Sequence, residues 1–247
     1  MLAPDFKEVS SLLSTYIGKR PRRGPFPIDS ALTWSILLST QSANRISGQM
    51  LEIGVEFGTS AFLMLESLRP EEHATFIDVK RTEEWLQGIG GPYQNMTNHS
   101  FIIGNTLQMR PQQMPSNCRW IHIDGGHLYQ HVSNDLLLTI DSLAEEGVMV
   151  LDDFFEIRWP DVTAAILDFL REQQRPVPFL LVNRKLYCAR SEEQANAYTE
   201  VFGNFLAANR DSIGQARWWH DVQMLGHRIL VSKMDLCEQL TSLESNE

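Results

Sequence analysis

The chain of 247 residues lies at the upper end for one domain and is long enough to bury a full α/β core. Its 43% hydrophobic and 21% charged residues are those of an ordinary soluble globular protein, and no apolar run approaches the ~20 residues that span a bilayer. A net charge of −10 argues against nucleic acid or an anionic membrane surface as the main partner.

No internal repeat or low-complexity segment is visible. Residues 5–18 and 30–47 read as helices, the second through Ala31, Leu32, Trp34, Ile36, Leu37 and Leu38. Between them stands one basic cluster, Lys19-Arg20-Pro21-Arg22-Arg23, which reads as a solvated loop; the bolder reading is a lid that contacts an anionic part of a substrate. Gly48 leads into a first strand at about residues 49–55, and from there elements alternate in the βαβ manner of a mainly parallel sheet. The helix at 59–68 is apolar nearly all round, as a helix against a sheet can be. Ala74 to Val79, Phe101 to Gly104 and Trp120 to Asp124 are the second to fourth strands. A helix from about 128 to 144 carries Leu128, Val132, Leu136, Ile140 and Leu143 on one stripe. Val148 to Leu151 is a fifth strand, ended by Asp152-Asp153, and Pro160 opens another helix. Phe179 to Val182 and Leu186 to Ala189 flank Asn183-Arg184-Lys185 as a late antiparallel hairpin. A polar helix after 190 and a last strand through Val222 to Val231 complete the chain.

The fold class is therefore a doubly wound α/β sheet, mainly parallel, of about seven strands with the last antiparallel. It forms a single domain: a helical segment 1–47, a core 48–190 and an extension 191–247. The three cysteines, Cys118, Cys188 and Cys237, show no metal-ligand or redox spacing and suit reduced thiols in the cytoplasm. Asp5, Lys7 and Glu8 interrupt the basic-then-apolar pattern a signal peptide needs.

The stretch Leu51-Glu52-Ile53-Gly54-Val55-Glu56-Phe57-Gly58-Thr59-Ser60 is a buried strand, a glycine turn and a helix start. Gly54 and Gly58 let the backbone turn sharply and let a ligand approach it. A dinucleotide would set its pyrophosphate against the helix N-terminus, where the Glu56 carboxylate would oppose it. S-adenosylmethionine has no phosphate and carries a sulfonium and an ammonium, so acidic residues at 52 and 56 suit it better.

In an open parallel sheet, ligands bind outside the carboxyl ends of the strands. Asp78 ends the second strand and is placed to accept from ribose hydroxyls; Asn105-Thr106, past the third, would reach adenine or ribose or form a polar turn. Asp124, Asp152 and Asp153 end the neighbouring fourth and fifth strands. Three converging carboxylates repel unless a cation neutralises them, and an all-oxygen set favours a hard divalent ion, Mg²⁺ first with Ca²⁺ or Mn²⁺ as alternatives, which would acidify a substrate hydroxyl. The alternative is that Asp152 and Asp153 only cap the next segment. His127, across Gly125-Gly126 from Asp124, is a candidate base for a hydroxyl proton or a solvent-facing helix-start histidine. His127 and His131 share a helix face, but Leu128 replaces the glutamate of a zinc-protease helix and no third ligand is evident. Phe154, Phe155 and Trp159 would wall an acceptor pocket or belong to the core.

With these residues in place, the chain resembles class I S-adenosylmethionine-dependent methyltransferases. In particular it is similar to metal-dependent O-methyltransferases related to catechol O-methyltransferase and to the macrolide and aminocoumarin sugar O-methyltransferases. The resemblance covers about residues 48–190. It rests on the glycine turn, on Ile123-Asp124-Gly125-Gly126-His127-Leu128-Tyr129 with Asp135 following, and on Gly147-Val148-Met149-Val150-Leu151-Asp152-Asp153-Phe154. It implies S-adenosylmethionine held by Glu52, Gly54, Glu56, Gly58, Ser60, Asp78, Asn105, Thr106 and Asp124. It further implies magnesium on Asp124, Asp152 and Asp153, catalysis by His127 and Asp124, and a small hydroxylated acceptor, a sugar or natural product. His127 stands where the catechol enzymes have a lysine, and Glu56 replaces the middle glycine of the commoner turn. A metal-independent methyltransferase, a nicotinamide oxidoreductase and a non-catalytic binding module are the alternatives; a homo-oligomer is left open.

Overall fold

Strand β1, Gln49–Ile53, is buried from Met50 onward and sits at the point where the sheet reverses its order. The computed structural model describes residues 1–20, 26–86, 93 and 95–236, without the side chains of 84, 214–220 and 233–236. In chain order the strands are β1, β2 (Ala74–Asp78), β3 (His99–Ile103), β4 (Cys118–Ile123), β5 (Leu143–Leu151), β6 (Val177–Val182), β7 (Lys185–Ala189), β8 (Gly214–Met224) and β9 (His227–Leu236). They form one nine-stranded sheet in the order β3-β2-β1-β4-β5-β7-β6-β9-β8. β3 to β5 are mutually parallel through β1; β7 is antiparallel to β5 and to β6.

Helices cover both faces. On one lie α1 (Phe6–Lys19), α2 (Ile28–Ala43), α3 (Thr59–Ser67) and, after the core, Glu192–Ala208. On the other lie α4 (Tyr129–Thr139) and α5 (Pro160–Gln173), whose Val132, Leu136, Val162 and Ile166 meet Leu51, Ile53, Ile121 and Ile123. α6 denotes Glu192–Ala208 below. α2 is buried nearly all round, and its hydroxyls are satisfied within the helix: Ser35 donates to the Ala31 carbonyl and Thr40 to that of Ile36. Trp34 of α2 meets Trp120 and His122 of β4 edge-on, at 4.9 and 4.8 Å between ring centres.

Three expectations change. The 128–144 helix ends at Thr139, turns through a short 3₁₀ segment and enters β5 at Leu143, before Val148, because Leu143 already pairs with Cys118. The last strand is a hairpin instead: the chain reverses at Leu225-Gly226, both at positive φ, so two strands are added and the sheet has nine rather than about seven. β9 joins the same sheet, parallel to β6. Cys118 and Cys188 are buried free thiols, while Cys237 lies outside the described residues, as do Pro21, Arg22 and Arg23 of the basic cluster. Among the described residues, no helix is long and apolar enough to cross a membrane.

Candidate active site

The strand order places a crevice between the ends of β1 and β4. Gly54 leaves β1 at φ 83°, and its backbone runs so close to the next strand that a Cβ here would lie 1.9 Å from the Asp124 carbonyl oxygen. Only glycine fits. The turn beyond is fixed by Asp78: its Oδ2 accepts the Val55 and Glu56 N–H groups at 2.8 and 2.9 Å. Glu56 itself adopts a left-handed conformation, φ 44°, and Gly58 does so at φ 79° before α3 begins. Above this turn opens a cavity of about 470 Å³, bounded by the glycine turn, Ser60, Asp78, Asn105, Thr106 and the run Asp124 to His127.

Gly54, Glu56, Ser60, Asp78, Asn105, Thr106 and Asp124 thus all line one cavity. Gly58 does not; it acts through its φ angle. Glu52 is a correction. Alternation along β1 turns it away from the opening into the α2 layer, where it is fully buried. There its Oε1 accepts from Ser60 Oγ at 2.5 Å and lies 2.7 Å from His122 Nδ1. It does not line the cavity itself but bonds Ser60, which does. Asn105 uses its Oδ1 on the Leu107 N–H, the polar turn that was its alternative reading, while its residue still borders the cavity.

The acidic strand ends do not gather as three. Asp152 is paired with Lys185, which the sequence reading passed over, and its Oδ2 lies 3.6 Å from His122 Nε2, an ion-pair distance. Asp153, at φ 55°, is turned the other way and meets His127 Nε2 at 3.2 Å. Donor atoms within 4.8 Å of one another therefore form two groups that share Asp124: Asp124 with His127 and Asp153, and Asp124 with His122 and Asp152. The expected magnesium set of Asp124, Asp152 and Asp153 is not one of them. Both groups mix nitrogen with oxygen donors, and in the second Asp152 is already paired with Lys185.

Charge alternates along the buried chain Lys185, Asp152, His122, Glu52. Burial opposes charge on His122, yet the Asp152 and Glu52 carboxylates on either side raise its pKa to about 9. Burial also opposes charge on Asp152, but Lys185 and His122 hold its pKa far below the usual carboxylate range. For Asp124, burial and the neighbouring Asp152 outweigh the attraction of Lys185 and His122 and push it well above that range. On the rim, the His127 ring stacks on Trp159 at 4.4 Å and 12°. Phe155 is exposed beside the buried Phe154, and His131 lies against Gly126.

The sequence reading missed His122, Lys185 and the part played by Asp135, which lines the cavity beneath Gly125. A signal existed for His122: it and Glu52 are polar residues set among apolar ones near the ends of two strands that the sheet sets side by side. Lys185 carried none, because it reads as the last residue of a polar turn.

Residues 51–154 match the model of a family described as a methyltransferase domain. No curated protein matches the chain in sequence. Among solved structures, the O-methyltransferase NovP is similar over 74% of this chain and 98% of its own, at 13% identity and a TM-score of 0.56. The cofactor-bound Rv0187 from MTB is similar over 76% of this chain and 91% of its own, at 14% identity and a TM-score of 0.50. MycE of the mycinamycin biosynthetic pathway, in complex with Mg, SAH and mycinamycin VI, is similar over 74% of this chain, at 15% identity and a TM-score of 0.51; the chain spans 54% of its length. Residues 51–154 thus match a methyltransferase domain, and the chain shares its fold with solved O-methyltransferases.

Proposed function

We propose that the protein methylates a hydroxyl oxygen of a small molecule, a sugar or natural product, and that all 247 residues serve this as one domain, with 1–47 and 191–247 flanking the core. The observation that supports it most is one cavity under Gly54 that joins the acidic glycine turn to His127 at the rim. Gly54, Glu56, Ser60, Asp78, Thr106 and Asp124 would hold S-adenosylmethionine, which supplies the electrophilic methyl group when bound. Glu56 offers negative charge to a ligand that carries positive charge. His127 takes the acceptor proton as the oxygen bonds to carbon, and the Asp153 carboxylate beside it stabilises the imidazolium that results. Trp159 fixes the plane of the imidazole by stacking on it, and Phe155 offers an aromatic wall to the acceptor. Two buried free thiols are in keeping with the reducing cytoplasm as its place of action.

The test is twofold. S-adenosylhomocysteine should bind the protein, and His127→Gln should lower the turnover number about 10²–10⁴-fold on an accepted substrate while leaving that binding intact. Equal loss of binding and turnover would remove His127 from the role of base.

A second reading is favoured by the grouping of Asp124, His127 and Asp153. These three would hold a divalent cation, magnesium or a softer ion, which would acidify the acceptor hydroxyl. Activity abolished by chelator and restored by Mg²⁺ or Mn²⁺ supports it; full activity in chelator leaves His127 as base alone. MycE, with its bound Mg, lends this reading a precedent in the same fold.

A further inference from the structure

We infer that Lys185 is a built-in counter-cation for Asp152 and withholds this strand-end carboxylate from any divalent ion at the site. The inference rests on the methyltransferase reading only for where the site lies.

Lys185 is the first residue of β7, and its ammonium reaches under the end of β5 to pair with Asp152. Its side chain is 4% exposed, so water does not screen the pair. The geometry is held from several sides. Asn183 and Arg184, at φ 47° and 61°, make the tight turn before it. The Asn183 amide donates to Asp29 Oδ1 at 3.2 Å and to Ser30 Oγ at 3.1 Å, which ties the hairpin tip to α2. The Arg184 carbonyl accepts the Phe154 N–H at 2.8 Å, which ties it to the loop after β5. The ring of Phe26 lies 5.1 Å from Nζ, a cation–π contact that adds to the hold on the ammonium.

A buried ammonium so placed supplies positive charge between the strand ends, where a divalent ion would otherwise neutralise Asp124, Asp152 and Asp153 together. The other oxygen of Asp152, Oδ1, accepts the Asp153 N–H at 2.8 Å. Both oxygens are thereby in use. His122 Nε2, fully buried and without a hydrogen-bond partner, faces the same carboxylate and adds to the hold. A dication that used Asp152 would have to expel Lys185 into a site with nowhere else to place its charge. Asp124, His127 and Asp153 need no such displacement.

The experiment is Mn²⁺ binding to the full chain, read by loss of the free-ion EPR signal, for wild type, Lys185→Gln, Asp152→Asn and the double variant. S-adenosylhomocysteine binding is measured alongside, so that a failed ion result is kept apart from a failed methyltransferase reading. Lys185→Gln should bind Mn²⁺ at least tenfold more tightly than wild type, the double variant should lose that gain, and Asp152→Asn alone should change the wild-type value less than twofold. No gain in Lys185→Gln, or a tenfold loss in Asp152→Asn, overturns the inference. Should Lys185→Gln not fold, ¹⁵N spectroscopy of the wild-type Lys185 ammonium decides. Its slowly exchanging resonance should persist in saturating Mg²⁺; its disappearance on adding the ion contradicts the pairing.

Discussion

Gly54 and Asp78 decide whether the cavity exists, and each can be tested singly. A methyl group at 54 would collide with backbone at 1.9 Å, and backbone cannot swing aside as a side chain can. Gly54→Ala should therefore lower the melting temperature and abolish the rise that S-adenosylhomocysteine produces in wild type. Asp78→Ala removes the acceptor of two turn N–H groups, bonds to a charged acceptor that are each worth roughly 1.5–3 kcal/mol. Its affinity for S-adenosylhomocysteine, by calorimetry, should fall tenfold or more. Asp135 yields a pH prediction. Burial outweighs its contacts with Thr106 and Asn134 and lifts its pKa from 3.8 to about 6. The folded state therefore binds this proton more tightly, and the stability so gained is complete below the ordinary value and lost as pH rises through about 6. Asp135→Asn should flatten that decline and exceed wild type at pH 7 by about 2–3 kcal/mol in urea melts; parallel curves from pH 4 to 7 would contradict it. At this scale the sequence shows residues whose role is local. Gly54, Glu56 and Asp78 are legible because a strand end and a glycine turn announce themselves. Glu52 and Asp152 are not, because their partners, His122 and Lys185, come from neighbouring strands that only the fold brings near.

Elements with a strong pattern were legible to within a few residues: β1, α3 and the β6–β7 hairpin lie where apolar runs and turn residues place them. The β8–β9 hairpin was read as one strand because its turn, Leu225-Gly226, is flanked by residues that also suit a strand interior. What fastens elements together was less visible. Arg119 at the start of β4 is buried, with Nε and Nη2 on the two oxygens of Glu72 at 2.7 and 2.8 Å and Nη1 on Gln41 of α2 at 2.9 Å. Burial works against the Glu72 charge, but Arg119 holds its pKa below the ordinary value. Glu72→Ala leaves a guanidinium buried without its counter-ion, a change that costs about 3–5 kcal/mol. Chemical denaturation should show that loss, with Asp221→Ala, an exposed partner of Arg228, leaving stability nearly unchanged as the control.

Across the whole molecule, the reversal of strand order between β1 and β4 is what turns scattered residues into a site. Alternating strands and helices point to a doubly wound sheet, but which strands flank the reversal is set by pairings that only the fold shows. The added β9–β8 pair lies at the sheet edge beyond β6, with β5, β7 and β6 between it and the crevice. Its place was not legible, because pairing of β9 with β6 joins segments nearly fifty residues apart. Ending the chain at Ile213 would bare the edge of β6, an open row of backbone groups. Size-exclusion chromatography of that shortened chain should show larger species than wild type, and an unchanged profile would show that the hairpin is not needed to cover the edge. The central claim is that the crevice holds a methyl donor, and titration calorimetry addresses it most directly. S-adenosylhomocysteine should bind wild type with one-to-one stoichiometry while NADH gives no heat; heat with NADH and none with S-adenosylhomocysteine would contradict the account.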